Sequence, residues 1–399
     1  MAEKKYNFDE VFERRNPTSA SWDVRENEIP LSIADMNFKA APVIIEAMQS
    51  CIDEGFFTYK KLTGEFFDTI VDWNKARHDI DIKKPHMIYA NGVLPAIFSV
   101  IRTLTQEDDG IIMPTPIYYN FFKLAWKNNR EIVASPMKYD KGKYTIDWDN
   151  LEELMAVETN KILLLSNPHN PISRNFTYDE LEKILKLAIK HNVYVLSDEV
   201  HADLTHPGAK FVSVLHFDEE LQKNAVVFNS VTKAFNLAGL KASYTVVENP
   251  ELRTKVQNAY ERDAITGVNH FVESAFLAAY SEKGAEWLDA LNDYLAENRQ
   301  YLITTLAKGL PDLVFGDANA TYLEWINTSN YAQDSKHLVD YLRYSKGIIL
   351  AEGESYGFEG RHFIRWNYAA PRALLEEAVE RFIDGVIKYQ DLDIDYMDL

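Results

Sequence analysis

A single lysine follows an apolar run, with two hydroxyl residues beside it. The run is AVVFN (225–229), and Ser230, Thr232 and Lys233 come directly after it. Most lysine side chains stay solvated, but a lysine at the floor of a cleft is partly desolvated, which lowers its pKa. Such an amine can attack an aldehyde carbon. The placement therefore indicates a nucleophilic amine, with a solvated surface lysine as the alternative.

Residues that could bind a ligand through side-chain or backbone groups also follow three other apolar runs. These are Gly92, Val93 and Leu94 after MIYA (87–90), Asn170 in NPHNP after KILLLS (161–166), and Asp198 and His201 after VYVLS (193–197). Taken singly, Asp198 could be a helix N-cap and NPHNP could be an ordinary turn. In doubly wound sheets, however, ligands bind beyond the carboxyl ends of the strands. Residues at successive strand ends are therefore expected to meet in one site.

Pyridoxal phosphate is the cofactor that requires this combination of groups. It needs an amine for its aldehyde, a carboxylate for its ring nitrogen and a cradle for its phosphate. Asp198 would keep the ring nitrogen protonated, so that the ring can accept electrons from the substrate. Asn170 could bond the phenolic oxygen, and an aromatic residue of IYYN (117–120) could stack on the ring face.

The phosphate of this cofactor would be held by hydroxyl and backbone groups. Ser230 and Thr232 supply the hydroxyls, and residues 92–94 lie where Pro95 indicates the start of a helix. A helix N-terminus binds anions because its first N–H groups have no partner within the helix. The sequence therefore predicts a phosphate site between these two segments.

Seven short apolar runs, which alternate with longer amphipathic segments, predict the elements that position these residues. The runs are MIYA (87–90), GIIM (110–113), EIVASP (131–136), KILLLS (161–166), VYVLS (193–197), AVVFN (225–229) and SYTVV (243–247). Continuous apolar runs of this kind are typical of parallel strands that are buried on both faces. They predict an α/β fold with a mostly parallel sheet. One intervening segment, which begins at Thr177 with Glu180 three residues later, predicts a helix with a capping box.

The pattern changes after about residue 250. Long helical segments lead to short strands and then to a closing helix, PRALLEEAVERFIDGVIKY. This change predicts a smaller α+β domain over residues 284–399, beside a large domain over residues 46–283. We expect residues 1–45 to pack with the smaller domain, because they precede the sheet pattern.

The composition limits the classes of function. The chain has 399 residues, of which 46% are hydrophobic, and its net charge is −19. An acidic surface of this kind disfavours nucleic acid and anionic membrane as partners. The sequence contains no run of about 18 uncharged apolar residues, so no transmembrane helix is predicted. Residues 1–16 have no apolar core of signal-peptide length, so no signal peptide is predicted. With Cys51 as its single cysteine, the protein is predicted to be cytoplasmic.

Several motifs resemble those of a known enzyme family. NPHNP, SDEVH and SVTKAFNLAGL, in this order and at these spacings, resemble the fold-type I pyridoxal-phosphate enzymes, the class I/II aminotransferase superfamily. The resemblance covers nearly the whole chain. Within this superfamily the sequence is most similar to the MalY/PatB group of cystathionine β-lyases, because of LSIADMNF, the His that ends SDEVH, KAFNLAGL and FIRWNYAAPR. It implies a large domain with a seven-stranded sheet.

The resemblance implies roles for the residues around the cofactor. Lys233 would be the Schiff-base lysine and the proton carrier. Asp198 would pair with the ring nitrogen, while Asn170 and His201 would lie near the phenolic oxygen. Tyr118 would stack on the ring, and its neighbour Tyr119 is the less favoured choice.

It also implies residues that contact the substrate and a second subunit. Arg365 would hold the substrate α-carboxylate, in preference to its rivals Arg361 and Arg372. Ala34, in LSIADMNF, would contact the substrate as well. Tyr59 resembles the tyrosine that reaches the phosphate of the neighbouring subunit, which implies a homodimer with shared active sites.

Three positions depart from the pattern of the family. Lys241 occupies the position, eight residues after the lysine, where many aminotransferases have a phosphate-binding arginine. The group's ADMDF is ADMNF here, with Asn37, and its usual NPxG continues as PISRNF, with Ser173. These differences leave the substrate in question but not the cofactor.

The resemblance implies an α,β-elimination that converts cystathionine or cysteine S-conjugates into a thiol, pyruvate and ammonia. A thiolate is a far weaker base than an alkoxide, which makes sulfur a natural leaving group. Transamination would use the same residues, so the motifs alone leave both reactions open. Two further hypotheses are a protein-binding regulator on a lyase scaffold, since the group includes a modulator of a transcription activator, and a cofactor-free structural protein.

Overall fold

The computed structural model describes residues 5–392. Its α-helices are α1 (Pro42–Glu54), α2 (Gly64–His78), α3 (Val93–Leu104), α4 (Tyr119–Lys127), α5 (Trp148–Ala156), α6 (Tyr178–Lys190), α7 (Pro250–Arg262), α8 (Val272–Ala279), α9 (Glu282–Gly309), α10 (Ser335–Lys346) and α11 (Arg372–Gln390). Short 3₁₀ helices cover Lys84–His86, Val214–His216, Ala238–Leu240, Glu354–Tyr356 and Phe358–Gly360.

The strands form two main sheets and two short pairings. In chain order they are β1 (Ile29–Pro30), β2 (Met87–Ala90), β3 (Gly110–Thr115), β4 (Glu131–Pro136), β5 (Lys138–Asp140), β6 (Lys143–Thr145), β7 (Asn160–Ser166), β8 (Tyr194–Asp198), β9 (Ala225–Asn229), β10 (Ser243–Val246), β11 (Val314–Phe315), β12 (Leu323–Asn327), β13 (Ile348–Ile349), β14 (Ala351–Glu352) and β15 (Phe363–Asn367).

The larger sheet has seven strands in the order β2-β10-β9-β8-β7-β3-β4. Of these strands, β10 runs antiparallel to both of its neighbours, and the remaining pairings are parallel. Each of the seven predicted runs forms one strand of this sheet, so the predicted fold class is confirmed. The carboxyl ends of β2, β7, β8 and β9 share one edge, which brings the predicted polar residues together.

The central strands of this sheet are buried on both faces, which explains their continuous apolar runs, whereas the edge strand β4 is largely exposed. Along β7, Leu163 and Leu165 pack with α5 and α6 in one core cluster. Their neighbours Ile162 and Leu164 pack with α3 and α7 in another cluster on the opposite face. Because side chains alternate between faces, a strand between two layers of helices must be apolar at every position.

The helix between β7 and β8 begins as its sequence predicts. The side chain of Thr177 accepts a hydrogen bond from the backbone N–H of Glu180 at 3.2 Å, and the carboxylate of Glu180 accepts one from the N–H of Thr177 at 2.9 Å. The predicted capping box at the start of α6 is therefore confirmed. It fixes the beginning of the helix that follows NPHNP.

The smaller sheet is antiparallel, in the order β11-β12-β15-β14. Residues of α9, α10 and α11 share a buried core with it, including Trp366 and Phe382, whose ring centroids lie 5.2 Å apart. In addition, β1 pairs in parallel with β13.

The predicted domain boundary after residue 283 falls in the first turn of α9. The division of the chain at residues 45 and 283 stays a prediction. No helix in residues 5–392 has the length and apolarity needed to cross a bilayer.

Candidate active site

A cavity of about 460 Å³ lies at the carboxyl edge of the seven-stranded sheet. It is lined by these residues of the predicted site: Ala34, Gly92, Val93, Leu94, Tyr118, Asn170, Asp198, His201, Thr232 and Lys233. They come from segments up to 199 positions apart, as the contact between Ala34 and Lys233 shows. The sheet therefore gathers most of the predicted site into one place.

Lys233 is held with its amine inside this cavity. The residue follows β9 by four positions, and its Nζ donates a hydrogen bond to the backbone oxygen of Ala34 at 2.7 Å. Burial lowers the pKa of the Lys233 amine, and the positive charge of Arg365 lowers it further, while Asp35 and Asp198 oppose the shift. A lowered pKa increases the fraction of neutral amine, which is the form that attacks an aldehyde.

Asp198 is the last residue of β8, and its side chain is buried. One carboxylate oxygen accepts a hydrogen bond from the backbone N–H of Val200 at 3.1 Å. Burial raises the pKa of Asp198 to about 7, although this N–H and the charge of Lys233 both lower it. In residues 5–392 no basic nitrogen lies within ion-pair distance of this carboxylate. A protonated ring nitrogen would supply the missing positive charge.

Arg365, on β15, joins the smaller sheet to the cavity. Its Nη1 donates to Oδ1 of Asn170 at 2.9 Å, and its Nη2 donates to the backbone oxygen of Ser32. The guanidinium is buried, and within the described residues it has no carboxylate partner. Its Nε is buried without a hydrogen-bond partner as well. Because Asn170 accepts from Arg365, the amide N–H groups of Asn170 remain able to donate to a ligand oxygen.

His201 and Tyr118 form further parts of the cavity wall. The Nδ1 of His201 is buried and has no hydrogen-bond partner among the described residues. Burial lowers the pKa of His201 to about 3, so its imidazole is neutral at pH 7. Burial also raises the pKa of Tyr118 to about 12, which keeps its phenol protonated. Both side chains fit an aromatic ligand that carries a phenolic oxygen.

Tyr119, the alternative to Tyr118, lies behind it. The ring centroids of Tyr118 and Tyr119 are 5.0 Å apart, with the rings edge to face. Tyr119 also packs against Tyr356, at 5.6 Å between centroids. Tyr119 is absent from the lining of the cavity, so the placement favours Tyr118 as the residue that faces a bound ring.

The predicted phosphate cradle lies where α3 begins. Gly92 precedes the helix with φ of +104°, a conformation that favours glycine. Thr232 and Lys241 line the cavity beside it. The first N–H groups of α3, the Thr232 hydroxyl and the Lys241 charge are suitable partners for a phosphate. Together with the buried carboxylate and the unpartnered His201 nitrogen, they show that the cavity fits pyridoxal phosphate.

Ser230 does not line the cavity, unlike Thr232. Its Oγ donates to the backbone oxygen of Ala242 at 2.6 Å and lies 3.0 Å from Oγ1 of Thr232. It also accepts a hydrogen bond from the backbone N–H of Thr232 at 3.1 Å. The residue is 1% exposed. Ser230 therefore ties the turn together, and a direct contact with phosphate stays a prediction.

Tyr59 also lies away from the cavity. Its side chain is fully exposed in the loop between α1 and α2, beside Phe56 and Phe57, which are 73% and 61% exposed.

The two arginines considered as alternatives to Arg365 do not line the cavity either. Arg361 stacks over Phe358, and Arg372 donates through Nε to Asn298 at 2.9 Å.

Two of the three residues that depart from the family pattern, Asn37 and Ser173, make hydrogen bonds within the fold. Asn37 accepts hydrogen bonds from Nε1 of Trp22 at 2.8 Å and from Nη1 of Arg14 at 3.0 Å. The Oγ of Ser173 donates to the backbone oxygen of Leu323 at 2.8 Å and lies 2.6 Å from Oγ1 of Thr321. Neither residue lines the cavity.

Other residues of the cavity wall escaped the sequence analysis. They are Asn91, Pro95, Ser166, Val200, Ala238, Lys241 and Ala242; the sequence marks Pro95 only as a helix start and Lys241 only as a departure from the family. Most of them are neighbours of predicted residues, so a wider window around each strand end would have included them. Tyr356 was missed for another reason, because no motif marks a ring that packs beneath Arg365.

Comparison with known proteins gives consistent matches over most of the chain. A family model described as aminotransferase class I and II matches residues 26–382. The chain is similar to cystathionine beta-lyase PatB of Bacillus subtilis, with 30% identity over 94% of this chain and 98% of that protein. It is 30% identical to protein MalY of Escherichia coli, over 96% and 99%. The crystal structure of cystalysin from Treponema denticola, which contains a pyridoxal 5'-phosphate cofactor, matches with a TM-score of 0.92 and 32% identity, over 96% and 99%.

Proposed function

Because the chain belongs to the aminotransferase class I and II family, we propose that it is a pyridoxal-phosphate-dependent carbon–sulfur β-lyase. Its expected substrates are cystathionine and other cysteine S-conjugates, and its products are a thiol, pyruvate and ammonia. The observation that carries this proposal is the meeting of the Lys233 amine with the Asp198 carboxylate in one cavity. Arg365, which is hydrogen bonded to Asn170 of the cavity wall, is a buried cation with no acidic partner among residues 5–392. The similarity to PatB, a cystathionine beta-lyase, supports the same reaction class, and the similarity to cystalysin supports the same cofactor.

The residues of the cavity would hold the cofactor at both of its ends. Asp198 would bind the ring nitrogen, with Asn170 and His201 at the phenolic oxygen and Tyr118 on the ring face. When bound, pyridoxal phosphate supplies an electron sink that stabilises negative charge on the substrate α-carbon.

The phosphate end of the site combines dipoles with charge. The N–H groups at the start of α3 and the hydroxyl of Thr232 would donate to the phosphate oxygens. Lys241 would add a point charge where a guanidinium would bind in a bidentate way. Ser230 would support Thr232, to which its hydroxyl is hydrogen bonded.

The side chains around the substrate have distinct tasks in this scheme. Arg365 would bind the α-carboxylate through two parallel N–H donors. The amine of Lys233 would take the proton from the α-carbon as a general base, which its lowered pKa favours. The thiolate would then leave from the β-carbon, and hydrolysis of the remaining fragment would give pyruvate and ammonia.

Transamination is the second candidate, and the description of the matching family favours it. In that reaction the amine of Lys233 would carry the proton taken from the α-carbon to a different atom within the site, and no thiolate would leave. The two reactions are separated by incubation of the holoenzyme with L-cystathionine and no oxo acid. A lyase would release pyruvate and thiol over many turnovers. A single conversion of the cofactor, without catalytic pyruvate, would overturn the lyase assignment.

A homodimer with shared active sites belongs to this proposal as well. The full exposure of Tyr59, next to two exposed phenylalanines, supports a second copy of the chain as its partner. Replacement of Tyr59 by Ala should then weaken cofactor binding, measured by absorbance after dialysis. A cytoplasmic location, and the absence of nucleic-acid and membrane partners, stay predictions from composition.

A further inference from the structure

We propose that Tyr356 is a positioning residue that holds the guanidinium of Arg365 ready for the substrate carboxylate. The inference rests on the proposed function, since it concerns the same site. It assigns this task to the face of the Tyr356 ring and not to its hydroxyl.

The geometry around Arg365 supports this assignment. The centre of its guanidinium lies 4.9 Å from the centroid of the Tyr356 ring, a cation–π distance. Its hydrogen-bond acceptors, Asn170 and Ser32, are both uncharged. A buried guanidinium without a carboxylate requires other compensation, and the negative face of an aromatic ring provides it without occupying the N–H groups that a substrate needs.

Tyr356 is itself held firmly from several sides. Its ring is fully buried and packs edge to face against Tyr119 and Trp325, at 5.6 and 5.5 Å between centroids. Its backbone oxygen accepts a hydrogen bond from the N–H of Ile117 at 2.7 Å. Tyr356 therefore connects Arg365, on the smaller sheet, with the loop that carries Tyr118.

The hydroxyl of Tyr356 has no hydrogen-bond partner within residues 5–392, although it is buried. A hydroxyl that organised the site would be expected to bond Arg365 or Asn170. The ring is thus the part of the side chain that the contacts support. This distinction makes the inference testable by substitutions that change the ring and the hydroxyl separately.

The test uses three holoenzymes: native, Tyr356→Phe, and a variant with pentafluorophenylalanine at position 356. Phenylalanine keeps the negative ring face and removes the hydroxyl, whereas fluorination reverses the ring quadrupole and nearly preserves its shape. Propionate serves as the carboxylate probe, and its dissociation constant is measured by calorimetry. We expect Tyr356→Phe to match the native protein and the fluorinated variant to bind about 5- to 30-fold more weakly.

Kinetics and a matched control separate positioning from general damage to the fold. KM for L-cystathionine should rise by a similar factor in the fluorinated variant, with kcat and the cofactor absorbance unchanged. Phe382 is the control position, because its buried ring packs on Trp366 and has no cation over it among the described residues. Pentafluorophenylalanine at position 382 should leave propionate binding unaltered.

Several results would overturn the inference. These are equal binding by all three proteins, weakening by Tyr356→Phe alone, equal weakening by the control at position 382, or no saturable propionate binding by the native protein. If the proposed lyase function is wrong, the native protein will form no pyruvate from L-cystathionine, which is a different observation. The calorimetric comparison among variants would still report on Arg365 in that case.

Discussion

The half of the site at the seven-stranded sheet differs from the half at the smaller sheet in how its residues are brought together. Asp198 ends β8 and Lys233 follows β9, and these two strands pair directly in parallel. Arg365 and Ala34 come from β15 and an N-terminal segment, and side-chain hydrogen bonds hold them in place. The first half therefore depends on regular backbone pairing, and the second on individual side-chain contacts.

The N-terminal segment 31–38 shows how the two halves are joined. Asn236, three residues after Lys233, donates to the backbone oxygens of Met36 and Phe38 at 3.0 and 2.8 Å. Asn367, two residues after Arg365, donates to Ile33 and Asp35, each at 2.6 Å. The tasks proposed for the two halves differ. Substitutions of Asp198 or Lys233 should therefore lower kcat, whereas substitutions of Arg365 should raise KM.

Replacement of Lys233 by Ala should have the largest effect. It removes the only group assigned to take the α-proton, so we expect a fall in kcat of about 10³-fold or more. The measurement is pyruvate release from L-cystathionine. Lys75→Ala, at an exposed lysine of α2, is the matched control and should leave kcat unchanged. Substantial turnover by the Lys233 variant would show that another base carries the reaction.

Asp198→Asn tests the carboxylate at the ring nitrogen. The neutral amide cannot stabilise a protonated ring, so kcat should fall by about 10²-fold, while Asp198→Glu should retain more activity. The cofactor absorption band should shift in the Asn variant as well. If kcat and spectrum both stay native, Asp198 does not pair with the cofactor.

Arg365→Lys tests the second half of the site. A lysine keeps the charge but loses the bidentate geometry, so KM should rise by about 30-fold with a smaller change in kcat. Arg361→Lys, in the same part of the chain, serves as the control. A loss confined to kcat would contradict the proposed division of tasks between the two halves.

Lys241→Ala should have a smaller effect, and the affected quantity is the affinity for the cofactor. The loss of one charged contact with phosphate should weaken cofactor binding by about tenfold. Dialysis followed by absorbance titration measures it. Lys241→Arg should bind as tightly as the native protein or more tightly. Unchanged binding in the Ala variant would place the lysine outside the phosphate site.

The smallest effect expected is on the stability of the cofactor-free protein. The folded-state pKa of Asp198, about 7, lies above the ordinary value of an aspartate, so its ionisation opposes folding. This loss of stability is absent below about pH 4, where Asp198 is protonated in both the folded and the unfolded state, and reaches its full size above about pH 7, where Asp198 is ionised in both. Asp198→Asn should therefore raise the melting temperature by about 1–3 °C at pH 8 and have little effect at pH 4. An equal rise in melting temperature at pH 4 and pH 8 would show that a change in packing, and not the ionisation of Asp198, causes the effect.

Much of the fold could be predicted from local pattern, because burial on both faces demands apolar residues at every strand position. The predicted run AVVFN coincides with β9, which is buried at every position. The placement of Ser230 could not be predicted in this way. Ser230 and Thr232 have the same kind of side chain in the same turn, yet one faces Ala242 and the other the cavity.

By itself, the sequence determined the sheet, the polar residues at its strand ends and the family to which the chain belongs. Short-range periodicity and motif spacing record these features directly. Only the tertiary structure decided that Arg365 meets Asn170 across 195 positions and that Tyr356 lies against its guanidinium. Such contacts arise when two sheets and an N-terminal segment pack together, and no local pattern specifies which side chains then face each other.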